Sequence, residues 1–423
     1  MVKFTGNKKR LVTNFFSLSS VEAANYIFPL ITLPYLVRIL GPEKYGLIAF
    51  AQVFVQYFIM ISDYGFNMSA TRDISINRGD IEKVSLIFSS VMFIKLVLVA
   101  ASFILMSLLI FTIDKFKPDW LLYYLTFGAA IGNMLFPIWL FQGMERMKFI
   151  ASLNFLAKLI FVFTIFIFVK AQKDYLYVPL LTSLGFIVAG MLSLWIAFSY
   201  FKIKLKLPLL NEIRYELREG WHVFISSVSV SLYTTSNIFI LGIITNNTIV
   251  GYYSAADKLI RSGIRLIYPV FQSIYPFISK LAVESREKAL GIIKRMSILI
   301  GVGFLLVSTA ILLLSKPIIY LILGAQYKES VSVLRILAFI PAVVGVNTVF
   351  TNSFLLGFGY SREASKIFIL SLFLSFLFST IFIYLIPLGS NGAAISWLLT
   401  ECCVLVFSFF VYRECSRNFL VKK

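Results

Sequence analysis

Apolar runs of about 20 residues follow one another along the whole chain, separated only by short polar or glycine- and proline-bearing breaks. A run of that length, coiled as a helix, crosses a hydrocarbon layer about 30 Å thick. Twelve such spans are predicted, at about 12–38, 46–67, 86–111, 120–142, 149–169, 176–200, 219–244, 251–277, 292–314, 330–356, 364–386 and 390–412. The alternating segments of a membrane barrel do not recur, and no loop is long enough to fold by itself in water. The pattern predicts an all-α polytopic membrane protein. Composition agrees: 59% of residues are apolar, 16% aromatic and only 14% charged.

A net charge of +19 would suggest nucleic acid in a soluble chain. Here most of the 39 Lys and Arg lie between spans. With both termini cytoplasmic, the basic groups Lys8-Lys9-Arg10, Arg72/Arg78/Lys83, Lys202/Lys204/Lys206, Lys294/Arg295 and Lys422/Lys423 all fall on the inner side. That excess is the one expected of cytoplasmic loops. The charge therefore predicts orientation and attraction to anionic membrane lipid, with no nucleic-acid partner.

The longest inner connection, Phe201 to Gly220, alternates Lys202, Lys204 and Lys206 with apolar residues and then becomes densely charged. It is predicted to lie on the membrane surface at about 201–219, joining an N-lobe (1–206, spans one to six) to a C-lobe (207–423, spans seven to twelve). The lobes repeat. Ile39-Leu-Gly41 followed by Tyr45-Gly-Leu-Ile-Ala-Phe-Ala51 is echoed by Ile240-Leu-Gly242 followed by Val250-Gly-Tyr-Tyr-Ser-Ala-Ala256. An even number of spans separates the copies, so both keep one orientation, as parallel transporter repeats do.

Span eight breaks the apolar pattern most sharply. Lys258, Arg261 and Arg265 recur at i, i+3 and i+7 and so share one stripe of a helix. A cation at the bilayer centre costs about 3 kcal/mol on insertion scales, and Asp257 can offset only one of the three. In the repeat register these positions match Val53, Gln56 and Met60 of span two, so the architecture does not require charge there. The stripe predicts an anionic ligand. Other charges fall near mid-span: Glu22, Lys95, Lys158 and Glu401. Lys95 and Lys158 are candidate substrate-binding cations facing a cavity or, alternatively, ion-pair partners of Glu22, and Glu22 or Glu401 is a candidate for exchanging a coupling ion. Asp63 reads as a helix-end group. Pro29 and Pro34 in span one and Pro269 in span eight are candidate bends for gating.

Several chemistries are missing. There is no phosphate-binding glycine loop with its Lys, no nucleophile elbow, no zinc-binding His pair and no Cys-x-x-Cys. Cys402, Cys403 and Cys415 form no metal-ligand or disulfide pattern, and the single histidine, His222, has no histidine partner. Neither a cofactor nor an enzymatic activity is expected, and polar groups spread through several spans suit a passage.

Four strings carry a family resemblance: Asn25-Tyr-Ile-Phe-Pro-Leu-Ile-Thr-Leu-Pro-Tyr-Leu-Val-Arg-Ile-Leu-Gly-Pro-Glu-Lys-Tyr-Gly46, Asp63-Tyr-Gly-Phe-Asn67, Pro137-Ile-Trp-Leu-Phe-Gln-Gly143 and Gly220-Trp-His-Val-Phe-Ile-Ser226. With them the chain resembles the polysaccharide transporters of the MOP superfamily, most of all the Wzx-type O-antigen flippases of Gram-negative bacteria. The resemblance implies about 12 helices in two pseudo-symmetric six-helix lobes around a central cavity, working by alternating access. It also implies a cargo of undecaprenyl-diphosphate-linked oligosaccharide, moved to the periplasmic leaflet of the inner membrane, with an O-antigen polymerase and chain-length machinery as downstream partners. On that reading Arg261 and Arg265 hold the diphosphate, Lys258 is an exit contact, and Tyr252, Tyr253, Tyr268 and Tyr275 are candidates for stacking on sugar rings. A lipid-linked cell-wall precursor flippase and a multidrug exporter of the same superfamily remain alternatives, as does a membrane-embedded glycan polymerase or ligase.

Overall fold

The computed structural model describes residues 2–265 and 268–421, with side chains described for Phe28, 31–265, Ile274, Tyr275, 277–360 and 362–416. Among these residues the chain is helical throughout and forms no strand. The helices are α1 (Val2–Asp63), α2 (Phe66–Ile76), α3 (Ile81–Thr112), α4 (Trp120–Leu135), α5 (Ile138–Gly143), α6 (Met147–Phe168), α7 (Tyr177–Ser199), α8 (Leu210–Ile244), α9 (Asn247–Arg265), α10 (Tyr268–Glu284), α11 (Arg286–Leu313), α12 (Ser315–Ile318), α13 (Ser330–Leu337), α14 (Ile340–Thr348), α15 (Ser361–Ser379) and α16 (Gly389–Val421). Ten segments among the described residues are long and apolar enough to cross a membrane. The predicted first and second spans are one helical run, α1, bent at Gly41 (φ 71°, ψ 171°). The predicted eighth span is two helices, α9 and α10, and α9 carries too many charges to count as apolar.

The bend in α1 sits where the sequence writes Gly-Pro. Only glycine tolerates the positive φ, and Pro42 then starts the next helical segment with its φ already set. Pro34, by contrast, is half-buried inside the helix with no break at its position.

The chain forms two compact units: Met1–Thr32 with Ala51–Val228, and Leu33–Phe50 with Ser229–Lys423. Residues 207–228 thus pack with the first unit and residues 33–50 with the second.

In the first unit, helices approach one another over small residues. A Cβ on Gly132 of α4 would lie 2.6 Å from Phe186 of α7, and one on Gly190 of α7 would lie 2.7 Å from Leu135. Ser183 and Ser193 of α7 donate to the Leu125 and Leu135 carbonyls at 2.6 and 3.0 Å. In lipid no water competes for such contacts, so close backbone approach and interhelical hydrogen bonds hold the seam. The core gathers Phe66, Phe88, Phe136, Trp139, Phe141 and Phe201. The basic link lies on this unit: the Lys204 and Lys206 amides donate to Ser85 and Ser89 of α3 at 3.1 and 3.0 Å, and Phe201 and Ile203 are buried.

In the second unit the two copies of the repeated motif meet. Gly46 of the first copy and Gly251 of the second stand in the same place in their motifs. A Cβ on Gly46 would lie 1.9 Å from the Asn247 carbonyl oxygen, and one on Gly251 would lie 1.9 Å from that of Pro42. Gly242 answers Gly41 in the repeat and faces the Phe50 ring, 2.1 Å from where its Cβ would stand. The glycines recur because two backbones touch there.

Candidate functional site

The second unit holds a chain of buried polar groups centred on α9. Arg261 and Asp257 are one helical turn apart, and the Arg261 Nε lies 2.8 Å from each Asp257 carboxylate oxygen. The Nη2 of Arg261 donates to the Thr234 carbonyl of α8 at 3.1 Å. Its guanidinium carbon lies 4.1 Å from the ring centroid of Trp397 on α16. A planar, weakly hydrated cation suits such a place, because it bonds in its plane while an aromatic face covers it.

Trp397 leads on to Glu401, again one turn away. The Trp397 Nε1 donates to Glu401 Oε1 at 3.2 Å, Tyr233 of α8 donates to the same oxygen, and Asn347 Nδ2 of α14 donates to Oε2 at 3.3 Å. A buried carboxylate is tolerable when donors from several elements converge on it, and here they come from three helices. Asn347 is positioned in turn, its amide oxygen 3.5 Å from the Ser408 hydroxyl, and a π-helical segment, Val349–Leu356, begins just past it. Ser236–Ser375 at 3.0 Å and Ser379–Asn237 at 2.5 Å pin α8 to α15.

The three cations of the stripe have different settings. Arg261 is partly exposed (side chain 28%), whereas Asp257 beside it is 6% exposed. Three guanidinium N–H groups of Arg261 have no acceptor among the described residues. Lys258 and Arg265 are exposed, and neither makes a salt bridge among the described residues. The stripe is therefore one anchored guanidinium between two open cations. Tyr252 is half-buried and meets Tyr327 edge-on at 6.1 Å. Tyr253 is fully buried, with its hydroxyl 3.5 Å from Asp257, so it offers no face to a sugar. Tyr275 is 39% exposed, and the Tyr268 side chain lies outside the described residues.

Lys95 and Lys158 belong to the first unit. Lys95 of α3 is 1% exposed, and its ammonium takes Asp63, the last residue of α1, at 2.8 Å, with Asn133 Oδ1 at 3.5 Å. Asp63, expected to be only a helix-end group, ends its helix within reach of the amine and pairs with it. Lys158 is half-buried on α6. The side chains of Glu22, Pro29 and Pro269 fall outside the described residues. His222 is exposed on α8, and the three cysteines are free thiols.

Asp257 and Arg261 were visible in the sequence as an i, i+4 pair, and Trp397 and Glu401 share that spacing. Tyr233, Thr234 and Asn347 carry no such signal, because only the packing of separate helices brings them in.

Membrane helices arranged as an internal parallel repeat, with a buried charge-bearing cluster, form an architecture found among transporters, and solved structures share the fold. The chain superposes on the lipid II flippase MurJ in an inward closed conformation with a TM-score of 0.67 at 13% identity, covering 95% of this chain and 87% of that one. It superposes on an inward-facing multidrug resistance MATE family transporter of the MOP superfamily with a TM-score of 0.68 at 16% identity, covering 92% and 94%. A family model described as polysaccharide biosynthesis protein matches residues 11–282, and the chain belongs to that family. A protein of Escherichia coli strain K12 named "Putative O-antigen transporter" is 35% identical over 405 residues, 94% of this chain and 95% of the relative. One of the same name from Shigella dysenteriae is 29% identical over 398 residues, 93% and 98%. These relatives are named as transporters, not enzymes, in keeping with the absence of catalytic motifs.

Proposed function

We propose that the protein is a flippase for undecaprenyl-diphosphate-linked oligosaccharide repeat units of O-antigen type. It moves them from the cytoplasmic to the periplasmic leaflet of the inner membrane by alternating access, with both termini in the cytoplasm. The observation that carries this is the α9 stripe: Lys258 and Arg265 exposed on either side of an anchored Arg261. A diphosphate has several acidic oxygens, and charge-assisted hydrogen bonds to it are roughly twice as strong as neutral ones. Two open cations supply the attraction, and Arg261, held by Asp257 and Thr234, offers its remaining donors from a fixed position. The kinship to named O-antigen transporters over nearly the whole chain supports the same cargo.

Lys95 carries structure rather than cargo in this reading, since Asp63 already neutralises it. Lys158 stays a secondary cargo contact. Glu22 and Glu401 are the proposed ion-coupling carboxylates, and around Glu401 donors from three helices converge. The anionic lipid of the inner leaflet is the partner of the basic loops, and O-antigen polymerase with its chain-length machinery receives the product.

Complementation tests the proposal. In a flippase-null strain the wild-type gene should restore O-antigen on lipopolysaccharide, and Lys258→Ala/Arg265→Ala at equal protein level should not. Restoration by the double variant would remove the stripe from the mechanism.

A further inference from the structure

Within the second unit, Trp397 of α16 stands between the two charged groups that the proposed transport cycle uses. Its Nε1 donates to Glu401 Oε1 at 3.2 Å, and its ring centroid lies 4.1 Å from the guanidinium carbon of Arg261. The indole is 5% exposed, so water is a poor substitute if either partner lets go. Asp257 and the Thr234 carbonyl hold Arg261 at its edges, and Trp397 covers its face. What happens to the indole is therefore felt by the guanidinium.

The donors around Glu401 differ in what they can do when the carboxylate takes up a proton. The Tyr233 hydroxyl can rotate and accept, and the Asn347 amide carries an acceptor oxygen beside its nitrogen. An indole nitrogen only donates. Arg261 acts on the carboxylate electrostatically, and the Cys402 thiol follows it in the chain. A charge-assisted hydrogen bond is roughly twice as strong as a neutral one, so a proton on Glu401 weakens its hold on Trp397, which cannot answer by accepting.

We propose that Trp397 is a positioning residue that couples the charge on Glu401 to the grip of Arg261 on the diphosphate. This rests on the reading of Arg261 as a cargo contact and Glu401 as a coupling carboxylate. With Glu401 ionised the indole is held, and Arg261 presents its remaining donors from one position, so little ordering is left for the cargo to bring about. With Glu401 protonated the indole loosens, the guanidinium loses its cover and the diphosphate is held less tightly. By reciprocity, bound diphosphate makes Glu401 harder to protonate by the same factor, so cargo and proton are bound in alternation. Neutralising Glu401 also leaves Arg261 more attractive to an anion, but that effect acts through space and persists without the indole.

Full-length protein in phosphatidylcholine nanodiscs, titrated with undecaprenyl diphosphate at one pH and followed by native mass spectrometry, measures the coupling as a double-mutant cycle. Glu401→Gln stands in for the neutral carboxyl and should lower the affinity about fivefold or more. Trp397→Phe keeps an aromatic face for Arg261 but has no N–H, and in that background Glu401→Gln should lower the affinity by less than about twofold. Damage that is merely structural would add in both backgrounds. Arg261→Lys removes the stacking from the other end, should silence Glu401→Gln in the same way, and decides the question if Trp397→Phe does not fold. Equal losses from Glu401→Gln in every background, or no loss in the wild-type background, would overturn the proposal. Lys258→Ala/Arg265→Ala keeps the two readings apart. Weakened binding there with an additive cycle removes the role of Trp397 alone; undiminished binding there, or none by wild type, removes the cargo site and the coupling with it.

Discussion

Adding one methyl group at Gly46 should separate the two copies of the internal repeat. A Cβ there would stand 1.9 Å from the Asn247 carbonyl oxygen and 2.4 Å from the Gly251 amide nitrogen, where real Cβ atoms keep about 3.0 Å or more. The obstacles are backbone atoms, which cannot rotate away, so the helices must part by about 1 Å and lose packing over the whole contact. Overpacking costs about 1–3 kcal/mol, and a backbone obstacle places Gly46→Ala at the upper end. Against this stands the helix preference of alanine over glycine, about 1 kcal/mol. The net expectation is about 2 kcal/mol of destabilisation, and Gly251→Ala should match it, since its Cβ would meet the Pro42 oxygen at 1.9 Å. Gly263→Ala is the control, because on the same α9 it has nothing within 4 Å of its Cβ and gains only the propensity. Tryptophan-fluorescence melting of purified protein at one fixed scan rate reads the effect. Midpoints for Gly46→Ala and Gly251→Ala equal to that of Gly263→Ala would refute the close approach.

Three further outcomes follow from the buried charges. Asp63→Ala should destabilise the protein more than Lys95→Met, by about 2 kcal/mol in the same melting assay, because the first strands a buried ammonium and the second removes it; the double variant should recover most of the loss. Equal effects of the single variants would argue against the pair. Glu401→Gln keeps the shape but places an amide where Tyr233, Trp397 and Asn347 all donate, and a midpoint loss equivalent to about 1–3 kcal/mol is expected, with wild-type stability as the contrary result. Arg261→Lys keeps the charge but loses the bond to Thr234 and the stacking on Trp397, so O-antigen display should fall further than with Lys258→Arg; equal display would show that charge alone matters.

The helical pattern was legible because lipid leaves a spanning segment few alternatives to a long apolar helix. The repeat was legible too, and its glycines turned out to face each other across the seam of the second unit. Chain breaks were harder to see. Pro34 looked like the bend in α1, yet the backbone turns at Gly41, where positive φ rather than a missing N–H decides the geometry. Lys95 marked itself as needing an acid, but that Asp63 supplies one was not visible, because pairing depends on which helix ends point together. On α9 the spacing of the cations was visible, whereas their inequality was not: Thr234 and Trp397 anchor Arg261 from other helices and leave Lys258 and Arg265 open.

The most direct measurement places purified protein in vesicles carrying an undecaprenyl-diphosphate-linked repeat unit on one leaflet and follows its arrival on the other with a membrane-impermeant probe. The account predicts movement by wild-type protein and a rate lower by about tenfold or more in Lys258→Ala/Arg265→Ala, as expected for losing charge-assisted contacts to phosphate. Equal rates for the two proteins, or no transfer by wild type above protein-free vesicles, would contradict it.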